Sequence, residues 1–208
     1  FMARASNEPD MLPNGLHVHQ ACVGQAGQNC FYDPAAHGGL SNTLLNYIGG
    51  QLAHARLIGV LSTPTVTGYR RYRPETWAPT SVTWSLDNRT TMLRVMADRG
   101  AGTRVENRLP DSAANPHLAL AIMIFAGLAG IEQNLDPGQP TTGYASTSHQ
   151  QLPGNIWEAI RCLNESSDAV EFFGQDLVNA YRGLLLQAAD DLEKHVTDWE
   201  IAKYRDIL

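Results

Sequence analysis

Glu106 stands two residues from an arginine on each side, in the stretch TRVENRL (103–109). In an extended chain, residues two apart share a face. Arg104, Glu106 and Arg108 would then set one carboxylate between two guanidinium groups. The neighbourhood adds positive charge: between positions 70 and 108 there are eight arginines and four acidic residues, in a protein of net charge −6. Like charges stacked on one sheet face repel. The planar guanidinium fork suits phosphate and carboxylate oxygens, so a polyanionic ligand is the expected occupant. Glu106 then has two sensible roles, salt-bridge partner of the arginines or ligand of a hard cation that accompanies phosphates. Spacing alone leaves these level. His17 and His19, in LHVHQ, are also two apart. By itself an H-x-H is more often a structural or surface pair than a metal site. Beside the arginines it points to a metal–nucleotide site.

Such side chains need a sheet to hold them. Residues 16–23, 80–86, 91–97 and 103–109 have strand character, and the turn-like links DNR and DRGAG predict an antiparallel meander for the last three. Val82, Trp84, Leu86, Leu93, Val95, Val105 and Leu109 form its apolar face. Ser81, Thr83, Ser85, Arg94, Arg104, Glu106 and Arg108 lie opposite. Helices back the sheet: one from Ser41 to about Leu61, one over about 116–132 opened by Asn115 and Pro116, one from Asn155, one over roughly 174–195, and a last with Thr197 and Glu200 in capping-box spacing. Residues 1–15, 24–39, 62–79 and 134–152 read as irregular or loop. The class is α+β, an antiparallel curved sheet with packed helices. His54 reads as a satisfied core or interface histidine. LALAIMIFAGLAGI (118–131) is too short for a membrane span and reads as a buried helix.

The 208 residues suit one large domain or two small ones, with 43% hydrophobic and 17% charged residues. The acidic balance excludes a general nucleic-acid surface. Cys22, Cys30 and Cys162 lack zinc or redox spacing and read as free thiols in a reducing, cytoplasmic compartment. No P-loop or G-x-G-x-x-G occurs. Phe1 precedes Met2, which predicts an upstream portion.

The ordered set NGLHVHQ, TPTVTGYRRY, WAP, DNRTTMLR, TRVENRLPDSAANPHLALA and AGLAGI, with DWEIAKY near the end, resembles the C-terminal catalytic domain of the glutamine synthetase family. The resemblance runs from about residue 14 to 204 and makes 1–208 one catalytic domain, incomplete on its N-terminal side and without the family's β-grasp domain. It implies an ATP-dependent ligase that phosphorylates the γ-carboxyl of glutamate and joins it to an amine. Two Mg²⁺ or Mn²⁺ ions would assist, in homo-oligomeric rings with active sites between subunits. By position it implies His17 and Glu106 as metal ligands and His19 near the nucleotide. It further implies Arg71 and Arg108 on glutamate, Arg89 at the transferred phosphoryl group, and Arg94 and Arg104 on nucleotide phosphates. Phosphoryl transfer of this kind rests on positioning and charge neutralisation.

Two departures bear on substrate. The family's loop glutamate before Ala-Pro, associated with the ammonium site, is Trp77 here, with Glu75 two residues earlier. A flat apolar surface there suits a larger organic amine, such as a polyamine, alkylamine or aromatic amine. Ammonia (ordinary glutamine synthetase) and a non-catalytic scaffold are the alternatives. The family's NGSGMH is also replaced by LPNGLH (12–17), without an asparagine-glycine pair that contacts glutamate.

Overall fold

The computed structural model describes residues 13–74, 76–145 and 149–207. Glu75, Leu12 and most of the irregular opening lie outside these. Four three-residue strands, β1 (Val18–Gln20), β2 (Trp84–Leu86), β3 (Leu93–Val95) and β4 (Val105–Asn107), form one sheet in the order β1-β4-β3-β2. β4 is antiparallel to both of its neighbours. β2 runs parallel to β3, with Trp84 beside Leu93, so the sheet is mixed and the expected antiparallel meander is corrected. The cause is local. Asp87 takes a left-handed φ of 47° and sends the chain out of the sheet. Asn88 then holds the excursion: its Oδ1 accepts from the Thr90 backbone at 2.9 Å and its Nδ2 donates to the Gly143 carbonyl at 2.6 Å. Returning past a strand of only about 10 Å is within reach of so short a link.

The α+β class is as expected. α1 (Asn42–Ala53) starts at Ser41, whose side chain accepts from Leu44 N, and α2 (Ala55–Leu61) follows after a break at His54. Where one helix was expected, His54 interrupts it and is satisfied on both sides, with Nδ1 2.8 Å from the Gly50 carbonyl and Nε2 3.1 Å from Asp168. α3 (Pro116–Gln133) has Asn115 as its cap. α4 (Ile156–Glu165), α5 (Ser167–Phe173), α6 (Gln175–Lys194) and α7 (Asp198–Tyr204) follow, the last with the complete Thr197–Glu200 capping box.

α3 has the length and composition of a membrane span, but it packs on α1. Its burial is one-sided: Ala119, Ile122, Met123 and Ala126 are buried while Leu120, Ile124, Phe125 and Leu128 are exposed, which corrects the reading of a buried helix. The α1–α3 contact is made backbone to backbone. A Cβ on Gly130 would fall onto the Asn46 carbonyl oxygen and within 2.6 Å of Gly50 Cα. Gly130→Ala is therefore expected to lower stability by about 2–3 kcal/mol, read as a shifted denaturant midpoint. An unchanged midpoint would show that the helices can part freely.

Between sheet and helices lies a buried polar chain. Asn107 Nδ2 donates to Gln51 Oε1, and Gln51 Nε2 and the Tyr47 hydroxyl both donate to Gln20 Oε1, each at 2.8 Å. A satisfied network of this kind fixes register, because a slip would leave its members unpaired in the core. It ties β1 and β4 to α1 and so holds the two strands that carry the histidines and Glu106.

Candidate active site

The register lines up one row of side chains across the sheet: His19 on β1, Glu106 on β4, Arg94 on β3 and Ser85 on β2. Glu106 is the centre, only 3% exposed. Its Oε1 lies 3.1 Å from His17 Nδ1, 3.3 Å from Arg108 Nη1 and 3.8 Å from His19 Nε2, and its Oε2 lies 3.2 Å from Arg94 Nη1. Burial alone would raise its pKa. The His17 hydrogen bond and the Arg108 and Arg94 guanidiniums outweigh that and lower it to about 2.

Each partner is itself held. Arg94 Nε donates to Asp87 Oδ1 at 3.0 Å, and its Nη2 also meets that oxygen. Arg108 Nη2 donates to the Trp77 carbonyl at 3.1 Å. Arg108 Nε is buried and has no partner within the described residues, a donor left for a ligand. Trp77 has φ 60° and is 54% exposed. With His17, Arg89, Arg94, Glu106 and Arg108 it lines a cleft of about 450 Å³.

Six of the nine expected site residues are thus brought together, and three are not. His19 touches Glu106 only at 3.8 Å and is not on the cleft wall. Arg104 continues the strand spacing, its carbonyl accepting from the Met96 N–H at 3.2 Å, but its Nη1 lies 2.7 Å from Asp98 Oδ2 and 2.8 Å from the Gly102 carbonyl. It does not line the cleft. Arg71 is 3% exposed, and its fork is occupied: Nη1 and Nη2 donate to the carbonyls of Leu109 and Arg108, both at 2.7 Å. Asp87 and Asp98, which sequence reasoning counted only as local counter-charge, are the fixed partners of Arg94 and Arg104. Their separations of seven and six residues across turns have no periodic signature.

His17 Nδ1 and Glu106 Oε1 are close enough to share one divalent cation, and imidazole with carboxylate is a suitable donor pair. Among the described residues no group of three or more His, Cys, Asp or Glu side chains has metal-holding geometry. The donor set fits part of a site, with further ligands required.

The mixed sheet, its row of paired charges and the arginine-rich cleft belong to a known class. Residues 1–204 match the catalytic domain of glutamine synthetase, and the chain belongs to the glutamine synthetase family. It is 37% identical to a glutamine synthetase of Thermus thermophilus over 200 residues, 92% of this chain and 45% of the relative. It is 36% identical to a gamma-glutamylethanolamide synthetase of Streptomyces coelicolor over 204 residues, 98% of this chain and 43% of the relative. The solved structure of apo GmaS without ligand superposes with a TM-score of 0.86 at 31% identity, over 99% of this chain and 48% of that one. The chain spans just under half the length of each.

Proposed function

We propose that this chain supplies the arginine-rich part of an ATP-dependent ligase joining the γ-carboxyl of glutamate to an organic amine through a γ-glutamyl phosphate. The observation that carries the amine reading is Trp77, an exposed residue that lines the cleft beside Glu106 and Arg108. A family ammonium site calls for an anion there. An exposed indole presents an apolar face that covers alkyl or aromatic groups and attracts an organic ammonium through its ring. The likeness to a gamma-glutamylethanolamide synthetase supports the same reading.

In this reading Arg108, on the cleft wall, meets the glutamyl carboxyl or the oxygen leaving it. Arg89, which is exposed on the cleft rim without an ion pair among the described residues, meets the transferred phosphoryl group. Arg94 stabilises phosphate oxygens from a guanidinium fixed by Asp87. His17 and Glu106 would hold one Mg²⁺ or Mn²⁺, which would supply charge neutralisation for the phosphates. Ligands from outside the described residues complete the two-metal site. These groups are charges set in advance, as phosphoryl transfer requires.

An amine screen on the intact protein, with ATP consumption as readout, tests this. Turnover with polyamines, alkylamines or aromatic amines well above that with ammonia is expected. Turnover with ammonia alone would return the protein to the glutamine synthetase reading, which the Thermus relative favours. Absence of ATP turnover with every amine would favour a scaffold. Trp77→Glu should shift the ratio of kcat/KM towards ammonia by about tenfold or more, the worth of one favourable charge contact at a partly shielded site. An unchanged ratio removes Trp77 from the acceptor pocket.

A further inference from the structure

The geometry points to Cys22 and Cys30 as a reversible thiol–disulfide pair, a modification site on the hairpin that continues from β1. Seven residues separate them in the chain, a spacing without redox meaning by itself. The fold gives it one. The Cys30 N–H donates to the Cys22 carbonyl at 2.8 Å, and the Gly24 N–H to the Gln28 carbonyl at 2.9 Å. These two bonds flank an antiparallel bridge between Val23 and Asn29. Cys22 and Cys30 are therefore directly opposite on adjacent strands, with side chains on one face.

Residues so paired have Cα atoms about 5.5 Å apart, inside the roughly 4.4–6.8 Å that a disulfide spans. Both thiols are free and half-buried, while Val23 between them points outward, 68% exposed. The sulfurs also sense each other: after burial, Cys30 is the next cause that holds the Cys22 thiol above its ordinary value. The register is pinned from outside. Asn29 Nδ2 donates to the carbonyls of Ala101 and Thr103 at 3.1 and 2.8 Å, and the Ser41 hydroxyl donates to the Cys30 carbonyl at 2.7 Å. Two thiols held this way meet at high effective concentration. Side chains opposite in a ladder must draw together to reach disulfide spacing, so the bridge is of the reducible kind.

The oxidant is a small-molecule disulfide. The Cys30 thiolate attacks one sulfur of oxidised glutathione, breaking its S–S bond and releasing one glutathione thiolate. The Cys22 thiolate then attacks Cys30 Sγ in the mixed disulfide and releases the second. Two protein thiols become one disulfide, one small disulfide becomes two thiols, and the two protons pass to the leaving thiolates.

Oxidised glutathione is added to the intact protein, followed by iodoacetamide, and tryptic peptide 5–56, which contains both cysteines, is weighed. The expected peptide is two hydrogens lighter, carries no alkyl group, and takes up two after dithiothreitol. Cys162, on another peptide, stays alkylated. Cys22→Ser should instead leave glutathione attached to Cys30. Stable glutathione adducts on the wild-type peptide, continued alkylation of both thiols, a bridge to Cys162, or a bridge between chains would each overturn the pair.

Discussion

Replacing Glu106 by alanine is expected to lower ATP turnover by about a thousandfold or more, the scale seen when a preorganised electrostatic group is removed, and to weaken Mg²⁺ or Mn²⁺ binding with it. The structure adds a second loss. Glu106 is the counter-charge for the nearly buried Arg94 and Arg108, with His17 and His19 beside it. Arg94 keeps Asp87, but Arg108 loses its ion-pair partner, and a buried cation left uncompensated costs about 3 kcal/mol or more. Glu106→Ala should therefore show both a low turnover and a lower denaturant midpoint. Glu106→Gln keeps the shape and separates the effects, because it loses the charge but fills the space. Its pH response is diagnostic. The folded carboxyl is held near 2, below the ordinary 4.5. Its stabilisation is fully present above about pH 4.5 and is lost as pH falls through about 2. Between those limits the stability of the wild type should fall with acid more steeply than that of Glu106→Gln. If turnover survives in both variants, the ligand assignment is wrong.

Arg71→Ala should destabilise the protein by about 3 kcal/mol or more. Its guanidinium makes two charge-assisted bonds to the Leu109 and Arg108 carbonyls, each worth about 1.5–3 kcal/mol, and the carbonyls would be left behind in a buried place. Tyr72 adds a third tie, its hydroxyl donating to the Leu109 carbonyl at 2.8 Å. These bonds brace the chain directly after Glu106, so Arg71 positions Arg108 from behind. The family resemblance would instead make the same arginine a glutamate ligand. Urea denaturation and glutamate KM separate the two: a lower midpoint marks the brace, whereas an unchanged midpoint with a raised KM marks a substrate ligand.

What could be read from the sequence follows the range of the force involved. Asn115 with Pro116, and Thr197 with Glu200, announce helix starts because a cap acts within one turn. The apolar alternation through Leu93, Val95 and Val105 announces a buried face for the same reason. The direction of β2 against β3 was not legible, since a left-handed Asp87 decides it and period does not. Arg104 keeps the strand spacing, its carbonyl accepting from the Met96 N–H, but Asp98 takes its guanidinium, and no periodicity announces that. The tie of Arg71 to carbonyls 37 and 38 residues away is a matter of packing. Within the site, alternation put Arg94, Glu106 and Arg108 on one face, whereas the pairing of His17 with Glu106 was implied only by the family resemblance, because an H-x-H spacing names no partner.

Trp77 lines the cleft and meets Arg108 through its carbonyl, not through its side chain. Any amino acid that tolerates the local φ can offer the same carbonyl, so side chains at this position can be exchanged without unseating the arginine. In the proposed reading, anchorage and selectivity would then sit on different atoms of one residue, and acceptor choice would be a trait that evolution can alter in a single step.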